Sequence, residues 1–189
     1  MKKLKKIVLW VIGLVVLMFI TILSYVKFAL PNVRAAPDIK VELTAERVER
    51  GEYLANHVTV CIDCHSIRDT GHFSMPIVPG TEGGGAAFAF TKAEFVPGEV
   101  TPPNITPAGL KDWSDEEILR AITRGINKKG DTIFPIMPYH SYSKMDKSDI
   151  LAIVAYIRSL KPVEHTIPAR KLEVPMSMFG PLPDGNLDQ

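Results

Sequence analysis

Apolar positions along the chain predict its elements before any motif is considered. Ile7 to Val26, "IVLWVIGLVVLMFITILSYV", is a run of twenty residues without a charge, preceded by "KKLKK" and closed by Lys27. That length spans a bilayer core as one helix. It exceeds the roughly 7–15 apolar residues of a cleavable signal, so retention as an anchor is expected over processing at the weak small-residue site "VRAA", Val33 to Ala36. Further on, "TAERVERGEYLA" pairs a capping Thr44 with Val48, Tyr53 and Leu54 on a candidate apolar face, which predicts a helix. "DWSDEEILRAITRGI" places Ser114 and Glu117 as a capping box before Ile118, Leu119 and Ile122, and this helix should end near Gly125. "MDKSDILAIVAYIRSL" gives a third helix, with Asp146 as cap, Ile150, Ile153, Val154 and Ile157 as its buried stripe, and Lys161-Pro162 as its stop.

Between these helices the pattern fails. Ser66 to about Lys111 is rich in Gly, Pro and Thr without a period of either kind, and structureless loops of that length are uncommon unless they wrap a ligand or serve another function. Strand signals are lacking, so the expected class is all-α. The expected organisation is an anchor at 1–27, a tether at 28–43, one folded domain at 44–163 and a Pro-rich extended tail at 164–189.

Charge assigns the sides of the membrane. Lys2, Lys3, Lys5 and Lys6 crowd one end of the span and Lys27 stands alone at the other, so the domain is expected outside the cytoplasm. The overall net charge of +1 hides an asymmetry, because residues 28–189 carry 17 basic side chains against 21 acidic ones. A mildly acidic exported domain excludes nucleic acid as the expected partner.

The chemistry is concentrated in "CIDCH", Cys61 to His65, which holds both cysteines of the chain. A disulfide across so short a loop stabilises little, zinc would need a second ligand pair, and a thioredoxin-like redox pair needs a βαβ context. Cys-x-x-Cys-His is the attachment sequence of c-type haem: Cys61 and Cys64 form thioethers to two vinyl groups, and His65 binds iron from the proximal side. The sixth position decides function, because His/Met ligation makes a carrier of raised potential while an open position admits gas or peroxide. Met137 is the leading candidate, in a loop stiffened by Pro135 and Pro138 and 72 residues beyond His65. His140, Met75 and an open site are the alternatives, and Met145 reads as a core residue.

"CIDCH", "NITP" (Asn104 to Pro107), "DWSDEEILRAITRGI" and "FPIMPYHSYSKMDKSDILAIVAYIRSLKPV" together resemble class I cytochrome c domains, most closely those in the cytochrome subunits of membrane-bound alcohol and gluconate dehydrogenases. The resemblance spans about residues 44–163 and implies the cytochrome c fold, a few helices around one covalent haem c. It carries the distal ligand over to Met137 and places Asn104 and Trp113 near the haem edge, with simple core packing as the alternative for Trp113. It sets Gly51 and Tyr53 where the first and last helices of the domain cross, against Tyr156. A proline carbonyl is expected on the proximal imidazole, from Pro76 or Pro79. Those dehydrogenase subunits typically carry three haem domains; this chain has one motif, and its Gly-rich Glu82 to Ala87 lacks an obvious counterpart.

The expected function is a monohaem cytochrome tethered to the bacterial cytoplasmic membrane. It would exchange single electrons with respiratory-chain partners on the periplasmic side, with no catalytic residue of its own. Two alternatives stand beside it: a subunit fixed in a dehydrogenase or terminal oxidase, and a haem peroxidase or gas-binding protein.

Overall fold

The charge-free N-terminal run folds as one helix, α1 (Lys2–Phe28), of 27 residues and therefore about 40 Å long. Its apolar side chains from Leu4 to Tyr25 are exposed all round the helix, an arrangement suited to lipid and not to water. The computed structural model describes residues 2–28, 39–174 and 176. It divides into two compact units, one holding α1 and the other everything from Ile39 onward. Most of the expected tether, and the chain beyond residue 176, lie outside the described residues. Within the tether stretch, however, Val41 is buried and Ile39 packs against the domain core.

In the second unit each principal helix begins at a side chain that satisfies otherwise open backbone donors. Thr44 accepts from the Arg47 amide at 3.3 Å ahead of α2 (Ala45–His57). A single turn, α3 (Cys61–Cys64), follows closely. Ser114 and Glu117 close the expected capping box on α4 (Asp115–Arg124), through bonds of 3.2 and 2.9 Å. Gly125 ends α4 in the left-handed region at φ +65°. A second short turn, α5 (Tyr139–Tyr142), precedes α6 (Lys147–Ser159), where Asp146 accepts from the Ser148 amide at 2.8 Å.

The core lies between α2, α4 and α6. Ile150, Ile153, Val154 and Ile157 of α6 meet Ile118, Leu119 and Ile122 of α4 and Leu54 of α2, all buried. Gly51 sets the depth of the α2–α6 contact: a Cβ built there would lie 1.9 Å from the Ala152 carbonyl oxygen and 2.8 Å from Tyr156 Cβ. Arg50 forks onto Asp149 at 2.9 and 3.0 Å, and Asn56 donates to the Tyr156 hydroxyl at 3.2 Å, so the same pair of helices is held at three levels. Tyr53 corrects one expectation. It is 54% exposed and its ring lies tilted against His57 of its own helix, because two residues on from Gly51 is roughly 200° around the helix.

Arg158 at the end of α6 ties three segments together. It donates to Asp115 at 2.8 Å, to the Leu110 carbonyl at 3.2 Å and to the Trp113 carbonyl at 2.5 Å, while the Val41 amide donates to the other Asp115 oxygen at 2.8 Å. Sheet is minimal among the described residues: β1 (Gly98–Glu99) pairs antiparallel with β2 (Lys171–Leu172). Through β2 the described part of the expected tail lies stitched to the domain. The Glu173 amide donates to the Pro97 carbonyl at 2.8 Å, and Arg170 donates to the Thr132 carbonyl at 2.6 Å.

Candidate haem attachment site

The site is built where α2 gives way to α3. Thr59 is buried; its hydroxyl donates to the Leu54 carbonyl at 3.1 Å and its own carbonyl receives the Tyr142 hydroxyl at 2.6 Å. Held there, the chain turns through Val60 at φ +48°, a left-handed conformation that β-branched residues rarely adopt. The turn delivers α3 with Ile62 fully buried, Cys61 half-buried against the core, and Cys64 exposed. Both cysteines are free, and burial pushes both thiols up from their ordinary pKa, the Thr59 hydroxyl opposing this at Cys61 from 3.1 Å.

His65 caps α3, and its Nδ1 lies 2.7 Å from the Pro103 carbonyl. A carbonyl only accepts, so Nδ1 carries the hydrogen and Nε2 is left with its lone pair, the tautomer a metal needs. Burial lowers the imidazole's pKa, with the Pro103 bond opposing it, so the ring is neutral. Neither Pro76 nor Pro79 takes the expected role. The loop after His65 closes on itself, with the Pro76 carbonyl accepting from Asp69 at 2.8 Å and Ile67 accepting from Val78 at 2.9 Å. The segment that returns to His65 is 83–106: Gly85 donates to the His65 carbonyl at 2.8 Å, and Pro103 takes the ring.

Met137 is half-buried and packs on the same core cluster as Cys61. Two residues on, Tyr139 is fully buried against Gly125, where an added Cβ would sit 2.5 Å from the ring. Tyr142 at the end of the same short helix reaches Thr59, so α5 ties the Met137 segment to the cysteine segment. The rivals lie in solvent: His140 is exposed, and Met75 is half-exposed with its carbonyl held by Arg68 at 2.5 Å. Trp113 packs against the core and offers its carbonyl to Arg158. The Asn104 side chain is fully engaged by protein, accepting from Thr106 and donating to the Val163 carbonyl at 2.7 Å.

Thr59, Pro103 and Tyr142 belong to no sequence motif. The repeated tyrosines of "PYHSY" were the one available hint, since residues three apart on a helix share a face. Removing the buried Tyr142 hydroxyl strands the Thr59 carbonyl, so Tyr142→Phe should lose about 1–3 kcal/mol of stability. The midpoint of urea unfolding checks this, and an unchanged midpoint refutes it.

Two thiols one turn apart, a neutral imidazole with a free Nε2 and a thioether on the same core fit a covalently held haem. Fold and site thus define a class, the small helical domain that attaches haem through Cys-x-x-Cys-His. The sequence model of the cytochrome c family matches residues 48–161, more than half the chain, and the chain belongs to that family. It is 34% identical over 140 residues to the gluconate 2-dehydrogenase cytochrome c subunit of Pantoea cypripedii, covering 71% of this chain and 28% of that one. It is 31% identical over 153 residues to the fructose dehydrogenase cytochrome subunit of Gluconobacter japonicus, covering 78% and 29% respectively. A third relative, the cytochrome c subunit of the quinone alcohol dehydrogenase of Gluconobacter oxydans, is 32% identical over 139 residues, covering 71% and 26%. The chain thus aligns with less than a third of the length of these relatives.

Proposed function

We propose that this chain is a membrane-anchored monohaem cytochrome that passes single electrons on the periplasmic side of the bacterial cytoplasmic membrane. Cys61 and Cys64 hold the cofactor by thioethers, and His65 and Met137 are its axial ligands. Bound haem supplies a one-electron iron couple whose potential is tuned by its ligands and burial. The protein's part is to keep His65 neutral and oriented, to present a thioether from a fixed segment, and to exclude water from both. The observation that carries the reading is His65 itself, whose Nδ1 on Pro103 at 2.7 Å leaves Nε2 for the metal. No side chain in this arrangement needs to act as base or nucleophile.

The charge-free stretch of α1, Ile7 to Val26, with four lysines before it and one after, supports the anchor and its orientation. A dehydrogenase as electron donor, with this chain fixed in the complex, is supported by the relatives, which are named as cytochrome subunits of such enzymes. The full chain purified in detergent should titrate as a single one-electron couple with one haem per chain. Its reduced form should not bind carbon monoxide at neutral pH. Rapid carbon monoxide binding by the parent protein would move the assignment to a gas- or peroxide-reactive protein. Copurification of a dehydrogenase in fixed ratio would favour the subunit over the free shuttle.

A further inference from the structure

We propose that the strap following α6, Val163 to Glu173, acts through Asn104 and the glycine run to orient the proximal histidine, which makes Asn104 a positioning residue for His65. The proposal rests on the reading of His65 as an axial ligand.

His65 is gripped twice by segment 83–106, at its backbone by the Gly85 amide at 2.8 Å and at its ring by the Pro103 carbonyl at 2.7 Å. The strap lies directly on both grips. Asn104, the residue after Pro103, donates to the Val163 carbonyl at 2.7 Å, and its Oδ1 accepts from the Thr106 amide at 2.9 Å and hydroxyl at 2.7 Å. The Val163 amide returns a bond to the Thr106 hydroxyl at 3.2 Å, closing a ring of three residues around fully buried Thr106. Over the other grip, a Cβ on Gly84 would lie 2.7 Å from Val163 Cγ1, and one on Gly85 would lie 2.6 Å from Ile167 Cδ1. The glycines therefore let the strap approach closer than any side chain allows. His165 adds a contact from its Nδ1 to the Gly84 carbonyl at 3.1 Å.

A carbonyl on Nδ1–H makes the imidazole a more basic ligand, and that bond is only as good as the carbonyl's aim. Pro103 has no amide with which to anchor itself, so its aim is inherited from its neighbours: Pro102, whose carbonyl accepts from the Ala86 amide at 3.1 Å, and Asn104, which is held by the strap. Loosening Asn104 should weaken the bond on His65, make the ring a poorer electron donor and favour the reduced state.

The test compares the full-length haem-loaded parent with Asn104→Ala, Ile167→Ala, Thr106→Ser and Lys92→Ala. The readouts are solvent exchange of the His65 ring N–H, by NMR of histidine-labelled protein, and the reduced-to-oxidised ratio at fixed applied potential. Asn104→Ala should speed exchange at least tenfold and raise the ratio about threefold or more. Ile167→Ala acts at the second grip, leaves the Asn104 ring in place, and should move both readouts the same way. Thr106→Ser keeps the hydroxyl and should resemble the parent. Lys92→Ala breaks only the Lys92–Glu173 ion pair at the far end of the strap and should leave both readouts unchanged.

Lower thermal stability in Asn104→Ala with unaltered exchange and ratio would overturn the proposal. Were Asn104→Ala not to fold, Ile167→Ala decides alone, by the same criteria. A parent lacking hyperfine-shifted His65 resonances when oxidised would refute the axial assignment instead. The exchange comparison would still read the Pro103 bond.

Discussion

Met137→Leu should convert the reduced protein from one that ignores carbon monoxide into one that binds it on mixing, and should lower the reduction potential by about 0.2 V. Leucine nearly matches methionine in volume, so the packing of residue 137 on the core survives at a cost below about 1.5 kcal/mol. What disappears is the sulfur, a soft ligand that favours ferrous over ferric iron. A loss of roughly three decades in that preference corresponds to about 0.2 V at 59 mV per decade for one electron. Met137→His should also lower the potential but keep carbon monoxide out, because the position stays filled. Met75→Leu and His140→Ala lie on exposed side chains and should change neither property. The assignment fails if Met137→Leu keeps the parent's potential and its indifference to carbon monoxide.

Gly51→Ala should destabilise the domain by about 2 kcal/mol, and Gly51→Val further. The added Cβ meets the Ala152 carbonyl oxygen at 1.9 Å and its carbon at 2.5 Å, both backbone atoms that no rotamer change can move aside. Alanine is favoured over glycine inside a helix by about 1 kcal/mol. That gain does not offset a clash that forces α2 away from α6 and opens the main contact of the core, where overpacking typically costs about 1–3 kcal/mol and occasionally more. Against a typical domain stability of about 5–15 kcal/mol the loss is large. Urea unfolding of the haem-loaded protein measures it; a Gly51→Ala variant as stable as the parent would show that the two helices do not approach as closely as described.

The contrast between Ser114 and Asn104 explains how far the sequence could be read. Ser114 and Glu117 announce a helix start because both partners of the capping box lie within four residues, and the structure closes that box as expected. Asn104 carries an equally polar side chain, but its partner Val163 is 59 residues away and is a backbone carbonyl, which every residue possesses. The same limit explains Pro76 and Pro79. They were the prolines nearest His65, whereas the carbonyl that reaches the ring belongs to Pro103, 38 residues on, because the intervening loop folds back on itself. Tyr53 departs from expectation for a smaller reason: a near neighbour of Gly51 in sequence is not its neighbour on one helix face.

The sequence alone determined the apolar helix that could cross a membrane, the three principal helices with their caps, and the attachment pentapeptide. Each is specified within one stretch of chain, by periodicity, by capping chemistry or by thiols one turn apart. Only the tertiary structure decided which carbonyl holds His65, that Tyr142 clamps Thr59 across 83 residues, and that the strap after α6 overlies both grips on the histidine. Those contacts join irregular segments through single hydrogen bonds and glycine clearances. They leave no periodic trace in the chain, and they exist only once the helices have packed and brought the loops together.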